Sequence, residues 1–155
     1  MVQIRPLAEV VSAAVAAQRD QPGPLLAVLH EIVAEVGHVP AGAIALLAEQ
    51  LNLSRAEVHG VVSFYSDLRT EPPGRTVVQV CRAEACQSVG AEALLREVSE
   101  RLQVEPRTTR DDGAVTLDEV FCLGNCALGP AAMVDGRLLG RVTADRLAAA
   151  VQGAS

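Results

Sequence analysis

Four cysteines are the residues of this chain best suited to chemistry, spaced Cys81-x4-Cys86 and, after a long interval, Cys122-x3-Cys126. A thiolate is a soft anionic ligand, so four of them suit a zinc ion or an iron–sulfur cluster. Structural zinc usually takes Cys-x2-Cys knuckles, although pairs up to x4 occur. The longer loops here fit better around a two-iron rhomb in which each pair of sulfurs holds one iron. A disulfide, a redox-active dithiol and a zinc-stabilised interaction module without redox work are the competing readings. The dithiol reading lacks its usual Cys-x2-Cys motif.

The elements that must position these residues can be read on either side of them. Arg75-Thr76-Val77-Val78-Gln79-Val80 is a short β-rich run ending at Cys81, and Val115–Val120 alternates like a strand and stops just before Phe121 and Cys122. Both pairs therefore belong in loops at one edge of one sheet. Ala83 and Ala85 in the first loop, and Gly124 and Asn125 in the second, allow tight turns. Gly124, and to a lesser degree Asn125, tolerates the positive φ needed to aim backbone N–H groups at sulfur. Between the pairs, residues 90–103 read as a helix with Leu94, Leu95, Val98 and Leu102 on one face. Ala131–Val134 and Arg137–Leu139 flank Asp135-Gly136, a strong two-residue hairpin signal. Thr143 can N-cap a last helix through about Val151. The order β-α-β-β-β-α predicts a small α/β sandwich.

The first 65 residues read as helices. One spans 6–19 from Pro6, a second 24–36 up to the stop Gly37, and a third runs from Pro40 to about Leu51. Ser54-Arg55-Ala56-Glu57 fits a capping box that opens a fourth helix reaching about Tyr65. Glu71-Pro72-Pro73-Gly74 forbids helix and reads as a linker. The expected organisation is an α+β chain: an N-terminal helical bundle over 1–70 and an α/β domain over 75–155.

Composition narrows the function classes. Half the residues are apolar, and Phe64, Tyr65 and Phe121 are the whole aromatic set, so the core must be built from Ala, Val and Leu. A net charge of −6, a pI near 5.0 and the lack of a basic cluster leave no electrostatic footprint for nucleic acid. No glycine-rich phosphate loop occurs, so nothing indicates that this chain binds NAD or another nucleotide alone. His30, His38 and His59 lie in or beside helices without a second histidine at ligand spacing, and read as polar surface or interface residues. No Ser-His-acid arrangement follows from spacing, and no catalytic residue is assigned. The apolar run 7–17 is interrupted by Glu9 and closed by Arg19 and Asp20, which argues against membrane insertion and for a cytoplasmic protein with reduced thiols.

Taken together, the motifs resemble the thioredoxin-like [2Fe-2S] subunit family of NADH dehydrogenases, the family of the 24-kDa subunit of respiratory NADH:quinone oxidoreductase. The resemblance is carried by Gly37-His38-Val39-Pro40, Val61-Val62-Ser63-Phe64-Tyr65 and Pro73-Gly74. It is strongest in the loops Cys81-Arg82-Ala83-Glu84-Ala85-Cys86 and Cys122-Leu123-Gly124-Asn125-Cys126, followed by Gly129-Pro130. It implies a thioredoxin-like [2Fe-2S] ferredoxin domain after the helical bundle and one cluster held by Cys81, Cys86, Cys122 and Cys126, and it makes Pro130 a candidate cis-proline whose isomer the sequence leaves open. It also implies docking onto an iron–sulfur-containing partner subunit that binds FMN and NAD(H), in a respiratory dehydrogenase, an NAD-reducing hydrogenase or an NAD-dependent molybdenum formate dehydrogenase. The stretch Cys81-Arg82-Ala83-Glu84-Ala85-Cys86-Gln87-Ser88 looks most like the gamma subunit of the soluble formate dehydrogenases, which implies further formate dehydrogenase subunits as partners. The oxidised cluster with four thiolates is a dianion, and reduction adds another negative charge, so Glu84, Asp118 and Glu119 nearby would lower its potential.

Overall fold

The computed structural model of the chain describes residues 5–65 and 67–153. It divides into two compact units, Met1–Pro72 and Pro73–Ser155. The first holds helices α1 (Leu7–Gln18), α2 (Leu25–Val36), α3 (Ala41–Leu51) and α4 (Arg55–Phe64). Their ends follow local chemistry. Gly37, in the left-handed region at φ 85°, closes α2 by donating its N–H to the Val33 carbonyl. Asn52 does the same for α3 at φ 54°. At α4 the Glu57 N–H donates to Ser54 Oγ at 3.1 Å, and the Ser54 N–H donates to Glu57 Oε2 at 2.8 Å. These are the two halves of the expected capping box. The core between the helices is aliphatic, with Val11, Val28, Leu29, Ile32, Leu47 and Val58 fully buried. Among the described residues no helix is long and apolar enough to cross a membrane.

The second unit is a five-stranded mixed sheet backed by helices. Its strands are β1 (Thr76–Cys81), β2 (Thr108–Thr109), β3 (Val115–Val120), β4 (Ala132–Val134) and β5 (Arg137–Leu139), in the order β2-β3-β1-β4-β5. β1 and β3 are parallel, in register from Thr76↔Val115 to Cys81↔Val120, and the other pairings are antiparallel. A parallel pair needs a crossover, and α5 (Glu84–Gln87) with α6 (Ala91–Leu102) supplies it before α7 (Ala144–Gly153) ends the unit. Val78, Val80 and Leu117 from the sheet pack with Leu94, Leu95 and Val98 of α6 and Leu147 of α7. The expected β-α-β-β-β-α order is present, with two additions. β2 is a two-residue edge strand, too short to show an alternation, and α5 is a single turn inside the first cysteine loop. Asp135 and Gly136 both take positive φ, 46° and 79°, as a two-residue hairpin demands.

The linker glycine is packed against the sheet. A Cβ on Gly74 would fall 2.8 Å from the Val115 carbonyl carbon, and the Gly74 N–H donates to buried Thr116 Oγ1 at 2.7 Å.

Candidate metal centre

Parallel pairing carries the C-terminal ends of β1 and β3 to the same sheet edge, and both cysteine pairs begin there. Cys81 is the last residue of β1, and its N–H donates to the Ala131 carbonyl at 3.0 Å. The chain then turns through Arg82 and Ala83 into α5, which presents Cys86. Cys81 and Cys86 are both buried, in a small cluster with Ala91 and Ala131. Burial pushes the Cys86 thiol up, opposed by a backbone hydrogen bond at Ala131 and reinforced by Cys81 and then Cys126. Cys126 therefore lies within electrostatic reach of the first pair.

The second loop leaves β3 through Phe121 and Cys122. Cys122 takes φ 151°, rare for a residue with a side chain, and Gly124 follows at φ 72°. The expected positive φ is thus present at Gly124, whose N–H donates to Cys122 Sγ at 3.3 Å. Asn125 keeps φ −111° and instead leads into a 3-10 turn over Cys126–Leu128. The peptide bond Gly129-Pro130 is cis. A Cβ on Gly129 would lie 3.0 Å from Val89 Cγ2 and 3.6 Å from Cys86 Sγ, so the two loops meet at this glycine.

All four cysteines are free thiols, Cys81 and Cys86 buried, Cys122 and Cys126 exposed. Among the described residues no three His, Cys, Asp or Glu side chains close on a single point, as a lone metal ion requires. A two-iron cluster asks for two thiolates at each iron. The donor set fits that group: four unpaired thiols from two loops on one edge, a backbone N–H already on sulfur, and a buried Arg82 Nε–H beside Cys81 without an acceptor among the described residues. Exposed Phe121, Val89 and Leu128 rim the same edge.

Two features of the site differ from the expectation. Glu119 does not add a bare negative charge, because Arg82 Nη1 donates to its Oε2 at 2.9 Å. Asp118 is engaged as well. Arg82 and Gly140, which backs the second loop, were not legible as site residues. The β1–β3 register sets Glu119 opposite Val80, within side-chain reach of Arg82 two residues on, and sequence spacing does not give the register. His30, His38 and His59 all fall in the first unit, with His30 and His59 exposed and His38 Nδ1 3.4 Å from the Val36 carbonyl oxygen.

Known proteins share this architecture. The chain is 38% identical over 112 residues to an NADH-quinone oxidoreductase subunit of Pseudomonas aeruginosa, covering 72% of this chain and 68% of that protein. It is 33% identical over 121 residues to the NADP-reducing hydrogenase subunit HndA of Solidesulfovibrio fructosivorans, covering 78% and 71%. It is also 33% identical over 144 residues to an NADH-quinone oxidoreductase subunit of Rhizobium meliloti, covering 93% and 86%. A chain in the crystal structure of an air-oxidized NAD+-reducing [NiFe]-hydrogenase superposes with a TM-score of 0.69 at 27% identity. That match covers 88% of this chain and only 23% of the hydrogenase chain. Residues 11–155 match the family described as thioredoxin-like [2Fe-2S] ferredoxin, and this chain belongs to that family.

Proposed function

We propose that the chain is an electron-transfer subunit that holds one [2Fe-2S] cluster on Cys81, Cys86, Cys122 and Cys126 and exchanges electrons with the FMN of a partner NAD(H)-binding subunit. The observation that carries this reading is the parallel β1–β3 pairing, which delivers both cysteine pairs to one sheet edge. When bound, such a cluster takes up and returns single electrons, which lets a flavin split the two electrons of a hydride. The chain's own residues supply the thiolates, a Gly124 N–H to Cys122 sulfur, and a wall of Ala91 and Ala131 that keeps water from Cys81 and Cys86. NAD and FMN belong to the partner on this reading, since this sequence has no glycine-rich phosphate loop.

The parent complex we favour is a cytosolic NAD-dependent molybdenum formate dehydrogenase. Support comes from the loop Cys81-Arg82-Ala83-Glu84-Ala85-Cys86-Gln87-Ser88. The relatives named above come instead from NADH-quinone oxidoreductases and hydrogenases, the alternative parent complexes. Anaerobic purification or reconstitution of the full chain with iron and sulfide tests the cluster. Brown protein with two irons and two sulfides per chain and a rhombic EPR signal on one-electron reduction is expected. Colourless, zinc-loaded protein would falsify the assignment. Cys122→Ser is expected to lose or alter the cluster while leaving the helix content of the first unit, and an unchanged EPR spectrum would refute this ligand set. Purification of the native complex and assay with formate, hydrogen or quinone as the second substrate distinguishes the parents.

A further inference from the structure

Arg82 is tied to both cysteine-bearing segments through three separate groups. Its backbone N–H donates to the Val120 carbonyl at 2.7 Å, on the strand that leads into Cys122. Its carbonyl accepts from the side-chain amide of Gln87 at 2.6 Å, and Gln87 directly follows Cys86. Its guanidinium crosses to Glu119 at 2.9 Å, three residues ahead of Cys122. Both charged side chains are about four-fifths buried, with 21% and 19% of their surface exposed. Surface ion pairs are worth little, but at this burial salt screens weakly, and removing one partner leaves the other charge in a poorly solvated place. The loops themselves are short on regular structure: one four-residue helical turn and one 3-10 turn. The charged cross-link at their common base adds a tie between them that this regular structure does not supply.

Resting on the four-cysteine reading, we propose that Arg82 is a positioning residue for the centre. Its ion pair with Glu119 holds the Cys81–Cys86 loop against β3, the strand that leads into the loop of Cys122 and Cys126, and keeps the Glu119 carboxylate neutralised beside the site. The two halves of this role separate by sign. Removing either partner loosens the clamp, so both changes should speed iron loss. Removing Arg82 leaves an uncompensated anion near an anionic cluster and makes reduction harder. Removing Glu119 leaves a cation there and makes reduction easier.

The test uses the full chain reconstituted anaerobically, with two readouts: the rate of visible bleaching under an iron chelator, and the reduction potential from an EPR-monitored titration. Arg82→Gln and Glu119→Gln should each bleach several-fold faster than wild type, with the potential shifted down in the first and up in the second. Arg82→Lys, which keeps the charge but not the planar fork, should fall between wild type and Arg82→Gln. The exchanged pair, Arg82→Glu with Glu119→Arg, should recover slow bleaching and a potential near wild type. A role in folding alone would move bleaching without giving the potentials opposite signs. Wild-type bleaching and potential in Arg82→Gln would overturn the proposal. So would potentials that move together in the two single variants, or an exchanged pair no better than either of them. A wild-type chain that takes up no iron and sulfide would instead overturn the four-cysteine reading on which the proposal stands. Should Arg82→Gln fail to fold by circular dichroism, Arg82→Lys carries the bleaching comparison and Glu119→Gln the potential, and wild-type bleaching in the first or an unraised potential in the second would overturn the proposal.

Discussion

Gly140 and Leu128 meet so closely that a Cβ on Gly140 would fall 2.6 Å from the Leu128 Cβ, with Asn125 Nδ2 at 2.9 Å and the Leu128 carbonyl oxygen at 3.0 Å. The strand-end residue thus braces the loop that carries Cys126. On the same stretch, the Arg141 N–H donates to the Leu128 carbonyl at 2.6 Å, and Arg146 Nη1 donates to the Gly140 carbonyl at 2.8 Å. Gly140→Ala must push this loop outward, because two of the three close atoms belong to Leu128's own Cβ and backbone. Overpacking of this kind costs about 1–3 kcal/mol. The expected outcome is a lower urea midpoint together with reduced iron retention, checked by denaturation and metal analysis. Wild-type values in both would mean that the loop is not braced here.

Thr116 holds the linker to the sheet. Its Oγ1 accepts from the buried Gly74 N–H at 2.7 Å and lies 2.8 Å from Thr109 Oγ1. Thr116→Val keeps the shape and strands the Gly74 donor, at a cost of about 1–3 kcal/mol. Thr116→Ser should restore most of it. Equilibrium unfolding of the two variants checks this, and equal losses would show that packing of the methyl group matters more than the hydrogen bond.

Asp112 gives the second unit an acid-sensitive turn. Its hydrogen bonds from Arg110, and then from the Ala114 N–H, hold its carboxyl at about 2, below the ordinary 3.8. A carboxyl depressed in the folded state contributes stability that is fully present above its unfolded value and is lost as pH falls through its folded value. The advantage of wild type over Asp112→Asn should therefore be constant above about pH 5 and shrink between about pH 4 and pH 2. Thermal melts of both proteins across that range check it. A gap that stays level down to pH 2 would remove Asp112 from the acid response.

Much of this structure was legible in the sequence, for reasons that particular residues make plain. Ser54 and Glu57 signal a helix start because their bonds are local, and both form. Asp135-Gly136 signals a hairpin because few other residue pairs accept two positive φ angles in succession. The β-rich run into Cys81 and the alternation before Cys122 place the cysteines at strand ends, as found. What escaped depends on strand register and close approach. Glu119 counts as a bare charge until the register sets it opposite Val80, in reach of the Arg82 side chain, and Gly140 resembles any turn glycine until the Cys126 loop is folded over it. β2 escaped because two residues cannot display a period.

The division of the thiols into a buried pair and an exposed pair gives the metal-free chain a chemical clock. An alkylating reagent should modify Cys122 and Cys126 at the rate of open solvent, and reach Cys81 and Cys86 only as quickly as the second unit opens. Two kinetic classes, two thiols in each, are expected in a mass-resolved time course. A group bridging all four sulfurs would collapse both classes into one slow reaction, so the same labelling experiment reports occupancy at the fast pair and local opening at the slow one.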